Sequence, residues 1–122
     1  MLLLLQRLYV HESIYDQFSQ AFTAIMKQTK LGDGSDPSIG MGPVVNRTQF
    51  NKVNEFLLDI QKNGQKALTG GKVHEGKGYF VPLTVVDNPP DDSKVVTEEP
   101  FGPVGEWPPN LLTLLLLLII LP

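Results

Sequence analysis

The sequence predicts an α/β fold, with two helices packed on a small mixed sheet. Two stretches carry apolar residues at helical spacing behind cap-type residues. Short β-rich runs lie before and after them. The resulting order, β-α-α-β-β-β without an internal repeat, belongs to an α/β layer rather than a bundle or a sandwich.

Residues 7–10 alternate polar and apolar, as a short strand does. Ser13 and Asp16 make a capping-box-like start, with a hydroxyl at the N-cap and a carboxylate three residues on. Ile14, Phe18, Phe22, Ile25 and Met26 then recur at helical spacing, predicting a buried stripe that ends near Lys30. Residues 32–43 (GDGSDPSIGMGP) are turn-rich and form a connector. Their glycines look phosphate-like, but no G-x-G-x-x-G follows a strand and no lysine sits in a P-loop context. Asn46 as N-cap and Gln49 at N3 open the second helix. Phe50, Val53, Leu57 and Ile60 form its apolar face, and Gly64 suits C′. Residues 66–69 read as a strand closed by Gly70 and Gly71. Residues 79–86 read as another, with Pro82 implying an edge or a bulge. Residues 88–91 are a turn, and residues 95–104 read as a strand before a Gly-Pro bend.

The 122 residues fit one small domain, and 42% hydrophobic with 19% charged content fits a globular one. The chain has no cysteine, so disulfides, thiolate catalysis and cysteine-ligated metals are excluded. His11 and His74 are far apart and lack a second ligand at useful spacing, so no metal site is expected. A net charge of −3 without a basic block gives no reason to expect nucleic acid as a partner. Leucine is concentrated at the two ends. Residues 1–5 are too short for a signal peptide. Residues 111–121, apolar except Thr113, would be about 16 Å long as a helix, half of a ~30 Å hydrocarbon core. No Lys or Arg flanks them, although Trp107, Pro108 and Pro109 precede them. The expectation is a cytoplasmic protein with a sticky tail that packs on the domain or self-associates as a homo-oligomer.

From residue 6 to residue 104 the chain resembles the aldehyde dehydrogenase superfamily, specifically the C-terminal part of its catalytic domain. The most specific element is Glu98-Glu99-Pro100-Phe101-Gly102-Pro103-Val104, similar to the EE-x-FGPV signature that follows the family's nucleophile. Arg7, the Ile14-Tyr15-Asp16 helix start, Gly32 with Asp36, Met41-Gly42-Pro43 and Gln49-Phe50 support it in collinear order. So do Gly70-Gly71, Gly78-Tyr79-Phe80 and Pro82-Leu83-Thr84. The resemblance implies an NAD- or NADP-dependent oxidation of an aldehyde to a carboxylic acid. That chemistry needs a thiolate, oxyanion donors and a carboxylate base for water. The family's cysteine lies five residues before the arginine matching Arg7, and Leu2 stands there. The family's general base, oxyanion donor and phosphate-binding half fall before the first residue of this sequence. No catalytic residue is therefore assigned, and the expectation is a fragment that is inactive alone and binds neither cofactor tightly.

By the resemblance, Glu99 accepts hydrogen bonds from the nicotinamide ribose hydroxyls. Otherwise it is an exposed strand carboxylate. Phe101 resembles the aromatic near the nicotinamide ring, against a core phenylalanine before a bend. Gln49 matches a position near the cofactor, against the N3 partner of Asn46, which the capping chemistry favours. Glu98 and Glu99 cannot flank one bond as a hydrolase pair, since adjacent strand residues point to opposite faces. Gly105-Glu106-Trp107-Pro108-Pro109 interrupts the signature strand, and family-like sequence breaks into leucine-rich sequence at both ends. That is expected of a truncated or misread frame, or of an artificial join. The alternative reading is a non-catalytic interaction module that associates through its leucine-rich tail with partner chains or lipid.

Overall fold

A computed structural model describes residues 7–107, the side chain of Trp107 excepted. The leucine-rich start, Leu2 and the run 111–121 lie outside the described residues. A 3₁₀ turn, Glu12–Ile14, leads into α1 (Tyr15–Gln28). Then follow α2 (Arg47–Lys62), β1 (Ala67–Thr69), β2 (Thr84–Asp87), α3 (Lys94–Thr97) and β3 (Val104–Trp107). The three strands form one mixed sheet in the order β1-β2-β3, antiparallel then parallel. The α/β expectation of two helices on a small mixed sheet holds.

β2 is the central strand, and its Thr84, Val85 and Val86 are all buried. Successive side chains point to opposite faces, so Val86 joins one core and Val85 another. On the first face, Val53, Phe56, Leu57 and Ile60 of α2 pack with Val81, Val86, Val95 and Val104. Their spacing along α2 is a single helical stripe. Each fully buried large side chain there contributes about 1.5–3 kcal/mol. Phe56, 1% exposed, belongs to this stripe although the periodicity reading omits it. Asn46 caps α2 as predicted, its side chain accepting from the Gln49 N–H. Gly64 takes the left-handed conformation (φ 62°) that ends the helix.

The α1 expectations need correction. The helix is entered through the 3₁₀ turn, so the cap is His11, whose Nδ1 accepts from the Ser13 N–H at 3.2 Å. Ser13 is not the N-cap of α1. Phe18, Phe22 and Met26 pack half-buried on the second face, but Ile14 and Ile25 are 43% and 59% exposed. The predicted stripe is therefore narrower than its spacing implies.

Two strands also move. Residues 79–86 give a strand only from Thr84, because Pro82 has no N–H for a ladder, and the Tyr79 carbonyl instead accepts from Val44 N at 2.9 Å. β2 is central rather than an edge. Within residues 95–104, Lys94–Thr97 is a helical turn. Val96 N and Thr97 N both donate to the Ser93 carbonyl at 3.0 Å, and Val95 turns into the α2 core. Packing there overrides the β preference of Val-Val-Thr. β3 begins only at Val104 and runs on through Gly105, Glu106 and Trp107, where an interruption was expected.

The predicted strand 7–10 is reduced to bridges. Arg7 pairs beside Glu106 on the open edge of β3, and Leu8 N donates to the Glu106 carbonyl at 3.0 Å. Arg7 Nε also donates to Glu106 Oε1 at 2.6 Å, and its other arm donates to the Val96 carbonyl. Glu106 is 3% exposed, and burial pushes its carboxyl up while Arg7 pulls it part of the way back. Arg7, 39% exposed on its side chain, could turn to water alone, but Glu106 could not. Arg7→Leu should therefore cost about 2–4 kcal/mol and Glu106→Gln clearly less. Equal losses in denaturant titrations at neutral pH would contradict this.

Asp87, at the end of β2, accepts from Tyr15 Oη and Lys66 Nζ. Burial works to raise its pKa, but the two donors outweigh it and hold the carboxyl below its ordinary 3.8. A depressed folded pKa gives stability that is present above the ordinary value and lost as pH falls through the folded one. Asp87→Asn should remove this acid-sensitive component of unfolding below about pH 4. Thermal melts from neutral to acidic pH check it, and an unchanged acid slope contradicts it.

Candidate cofactor-facing site

The three residues singled out from sequence converge where the start of α2 meets the segment after α3. The Gln49 backbone is held by the cap, its N–H donating to Asn46 Oδ1 at 2.9 Å. Its side chain does not close a capping box. Gln49 Nε2 donates instead to the Pro100 carbonyl at 2.7 Å and the Phe101 carbonyl at 2.9 Å. Gln49 is thus a clamp on the signature turn.

The clamp has a counterpart on the buried side. Pro100 is fully buried, and a side chain at Gly102 would come within 2.6 Å of Val53 Cγ2. Phe101 lies between these two anchors. It adopts φ 49° and is 52% exposed, so the core reading of Phe101 is wrong. A left-handed backbone is uncommon for a bulky residue and costs about 1–3 kcal/mol, which the flanking contacts must offset. Lys52 Nζ lies 5.4 Å from the Phe101 ring centroid. Sequence reasoning missed Lys52, although its i+3 spacing from Gln49 places both on one side of α2.

Glu98 and Glu99 occupy the extended link between α3 and this turn, outside any strand. The opposite-faces argument for adjacent strand residues therefore does not apply to them. Both are exposed, and Glu99 makes no ion pair among the described residues. The surface thus offers a carboxylate acceptor, an aromatic face and an ammonium group. Such a set suits hydroxyl donors and a planar ring. Among the described residues, no group of three His, Cys, Asp or Glu is placed to hold a metal ion. None of the described helices is long and apolar enough to cross a membrane.

A glutamine of α2 thus holds the signature turn on a small mixed sheet of an α/β fold. Residues 3–106 match the aldehyde dehydrogenase family. The chain belongs to that family. It is 40% identical over 99 residues to a probable aldehyde dehydrogenase of a Pseudomonas species, covering 81% of this chain and 20% of that protein. It is 41% identical over 104 residues to a D-glyceraldehyde dehydrogenase (NADP(+)) of Picrophilus torridus, covering 81% and 21%. Among solved structures, an NAD+ complex of aldehyde dehydrogenase from Bacillus cereus superposes with a TM-score of 0.79 at 34% identity, covering 86% and 21%. The chain therefore spans about a fifth of the length of these relatives.

Gln49→Leu removes both bonds to the turn and leaves a buried carbonyl at Pro100 without its donor. A loss of about 1–3 kcal/mol is expected, with Asn46 still capping α2. Gly102→Ala should cost a similar amount, because Val53 has no free space to yield. Chemical denaturation checks both, and a neutral result for either would contradict the clamp.

Proposed function

We propose that this stretch forms the wall of an NAD- or NADP-dependent aldehyde dehydrogenase site that faces the nicotinamide ribose. In this reading Glu99 accepts hydrogen bonds from the ribose hydroxyls, as an acidic residue does in dinucleotide folds. Phe101 lies beside the nicotinamide ring, and Gln49 acts through the backbone as a positioning residue. The residues present fit one edge of such a cofactor only, since Glu99 and Phe101 are exposed on the same clamped turn. When bound, the dinucleotide would supply the hydride acceptor. The aldehyde is the substrate of the whole enzyme, and the setting is cytoplasmic.

The observation that carries the reading is the outward projection of Phe101 at positive φ, supported by Gln49. A core role would have turned the ring inward. As the chain stands, it has no cysteine to attack an aldehyde. It therefore performs no oxidation alone, and it binds dinucleotide weakly because it meets only one edge of the cofactor.

Titration with NAD and NADP by calorimetry tests this, together with an absorbance assay for reduced nicotinamide in the presence of short aldehydes. The expected result is a dissociation constant on the order of 1 mM. Glu99→Gln should weaken it by about tenfold, through loss of charge-assisted hydrogen bonds. No reduced cofactor should form, nor should it with Leu2→Cys. Turnover by the unaltered chain, or binding indifferent to Glu99→Gln, would overturn the proposal.

A further inference from the structure

A cleft of about 490 Å³ lies where the C-terminal end of α2 meets α3 and the turn that enters it. Its walls are mainly polar. Three carboxylates line it: Asp59 in the last turn of α2, Asp92 before α3 and Glu98 just after it. None of them makes an ion pair among the described residues. Lys94 lines the cleft as well, but its ammonium is engaged elsewhere. It lies 3.6 Å from Glu55 Oε2 and 5.0 Å from the Phe56 ring centroid. The end of α2 adds to the negative field, since a helix C-terminus carries partial negative charge.

Carboxylates alone would make only a solvated rim. Two buried oxygens distinguish this cleft. Ser93, 9% exposed, is the N-cap of α3, where a serine hydroxyl ordinarily accepts from an amide of the first turn. It makes no such bond. The Ser93 backbone is fully engaged. Its N–H donates to the Pro90 carbonyl at 2.9 Å, and its carbonyl accepts from Val96 N, Thr97 N and Thr97 Oγ1 at 3.0 Å. Ser93 Oγ is left buried without a partner, and so is Gln65 Oε1. Both residues line the cleft. An orphaned buried polar atom costs its desolvation and is rare in native structures. Two on one cleft point to a ligand that completes them.

The acceptors select the ligand. Carboxylates and an amide oxygen can only accept, so the set calls for a cation rich in N–H donors. Among the described residues, no group of three His, Cys, Asp or Glu is placed to hold a metal ion. A guanidinium keeps its charge, presents several N–H donors in a rigid fork and sheds water more readily than an ammonium. It meets carboxylates in paired, charge-assisted bonds.

We propose that the cleft between the end of α2 and α3 binds an alkylguanidinium, either a free small molecule or an arginine side chain of another chain. Asp59, Asp92 and Glu98 supply the counter-charge, and Ser93 Oγ and Gln65 Oε1 supply neutral acceptors. The site uses none of the residues assigned to the cofactor.

Titration of the full chain with n-butylguanidinium, followed by amide NMR shifts, tests the proposal. Saturable shifts should be confined to residues 59–65 and 90–98, with a dissociation constant on the order of 1 mM. Tetramethylammonium, of equal charge but without N–H donors, should bind about tenfold more weakly. Asp92→Asn with Glu98→Gln should weaken n-butylguanidinium binding about tenfold. Ser93→Ala should weaken it about threefold, and it removes no hydrogen bond of the fold. Glu75→Gln, which removes an exposed charge outside the cleft, should leave binding unchanged. The capped peptide acetyl-Gly-Arg-Gly-amide separates the sources. Tighter binding of the peptide assigns the ligand to an arginine of another chain, and tighter binding of n-butylguanidinium assigns it to a free molecule. Either order supports the site. Absence of saturable shifts with both guanidinium probes overturns it. Equal binding of tetramethylammonium does so too, as does an affinity unmoved by either set of changes.

Discussion

The bond pair from Gln49 Nε2 to the carbonyls of Pro100 and Phe101 is the constraint on which the site depends. It joins residues about fifty positions apart and fixes the signature turn to the best-packed helix of the molecule. Its strength is borrowed from that packing. Val53, Phe56, Leu57 and Ile60 anchor α2 against the sheet, so the first turn of α2 is a stable platform for a side chain that reaches outward. With Pro100 buried and Gly102 against Val53, the backbone has little choice but to carry Phe101 through a left-handed conformation. Strain of this kind persists where surrounding contacts over-determine it, and such places are often functional.

The same arrangement sets what the chain can do. It exposes a carboxylate at Glu99 and a ring at Phe101 on one clamped turn, and the sequence contains no cysteine. The chain covers about a fifth of the length of its relatives. Gly105, the register partner of Val85, places no side chain on the face that α1 covers.

Much of the fold was legible in the sequence, and the reasons are local. The Asn46 cap, the Val53–Leu57–Ile60 stripe and the left-handed Gly64 need only nearby residues, so pattern and capping chemistry place them. What escaped depends on distant partners. Val95–Val96–Thr97 has the composition of a strand but closes a helical turn on Ser93, because Val95 is drawn into the α2 core. Residues 105–107 read as an interruption but continue β3, since the ladder partner is β2, some twenty residues earlier. Ser13 has the chemistry of a cap, yet His11 takes that place once the chain enters through a 3₁₀ turn. For the candidate site, the family resemblance singled out Glu99, Phe101 and Gln49, and the structure brings Gln49 onto the turn that carries Phe101. The action of Gln49 through two backbone carbonyls is a tertiary fact that no spacing encodes.

Solution NMR of the Gln49 side-chain amide and the Phe101 backbone tests the central claim most directly. The clamp predicts slowly exchanging Gln49 amide protons with scalar couplings to the Pro100 and Phe101 carbonyl carbons, and a strong intraresidue HN–Hα contact at Phe101 that reports positive φ. A Gln49 amide that exchanges as freely as the exposed Gln17 amide, beside a Phe101 of ordinary negative φ, would contradict it.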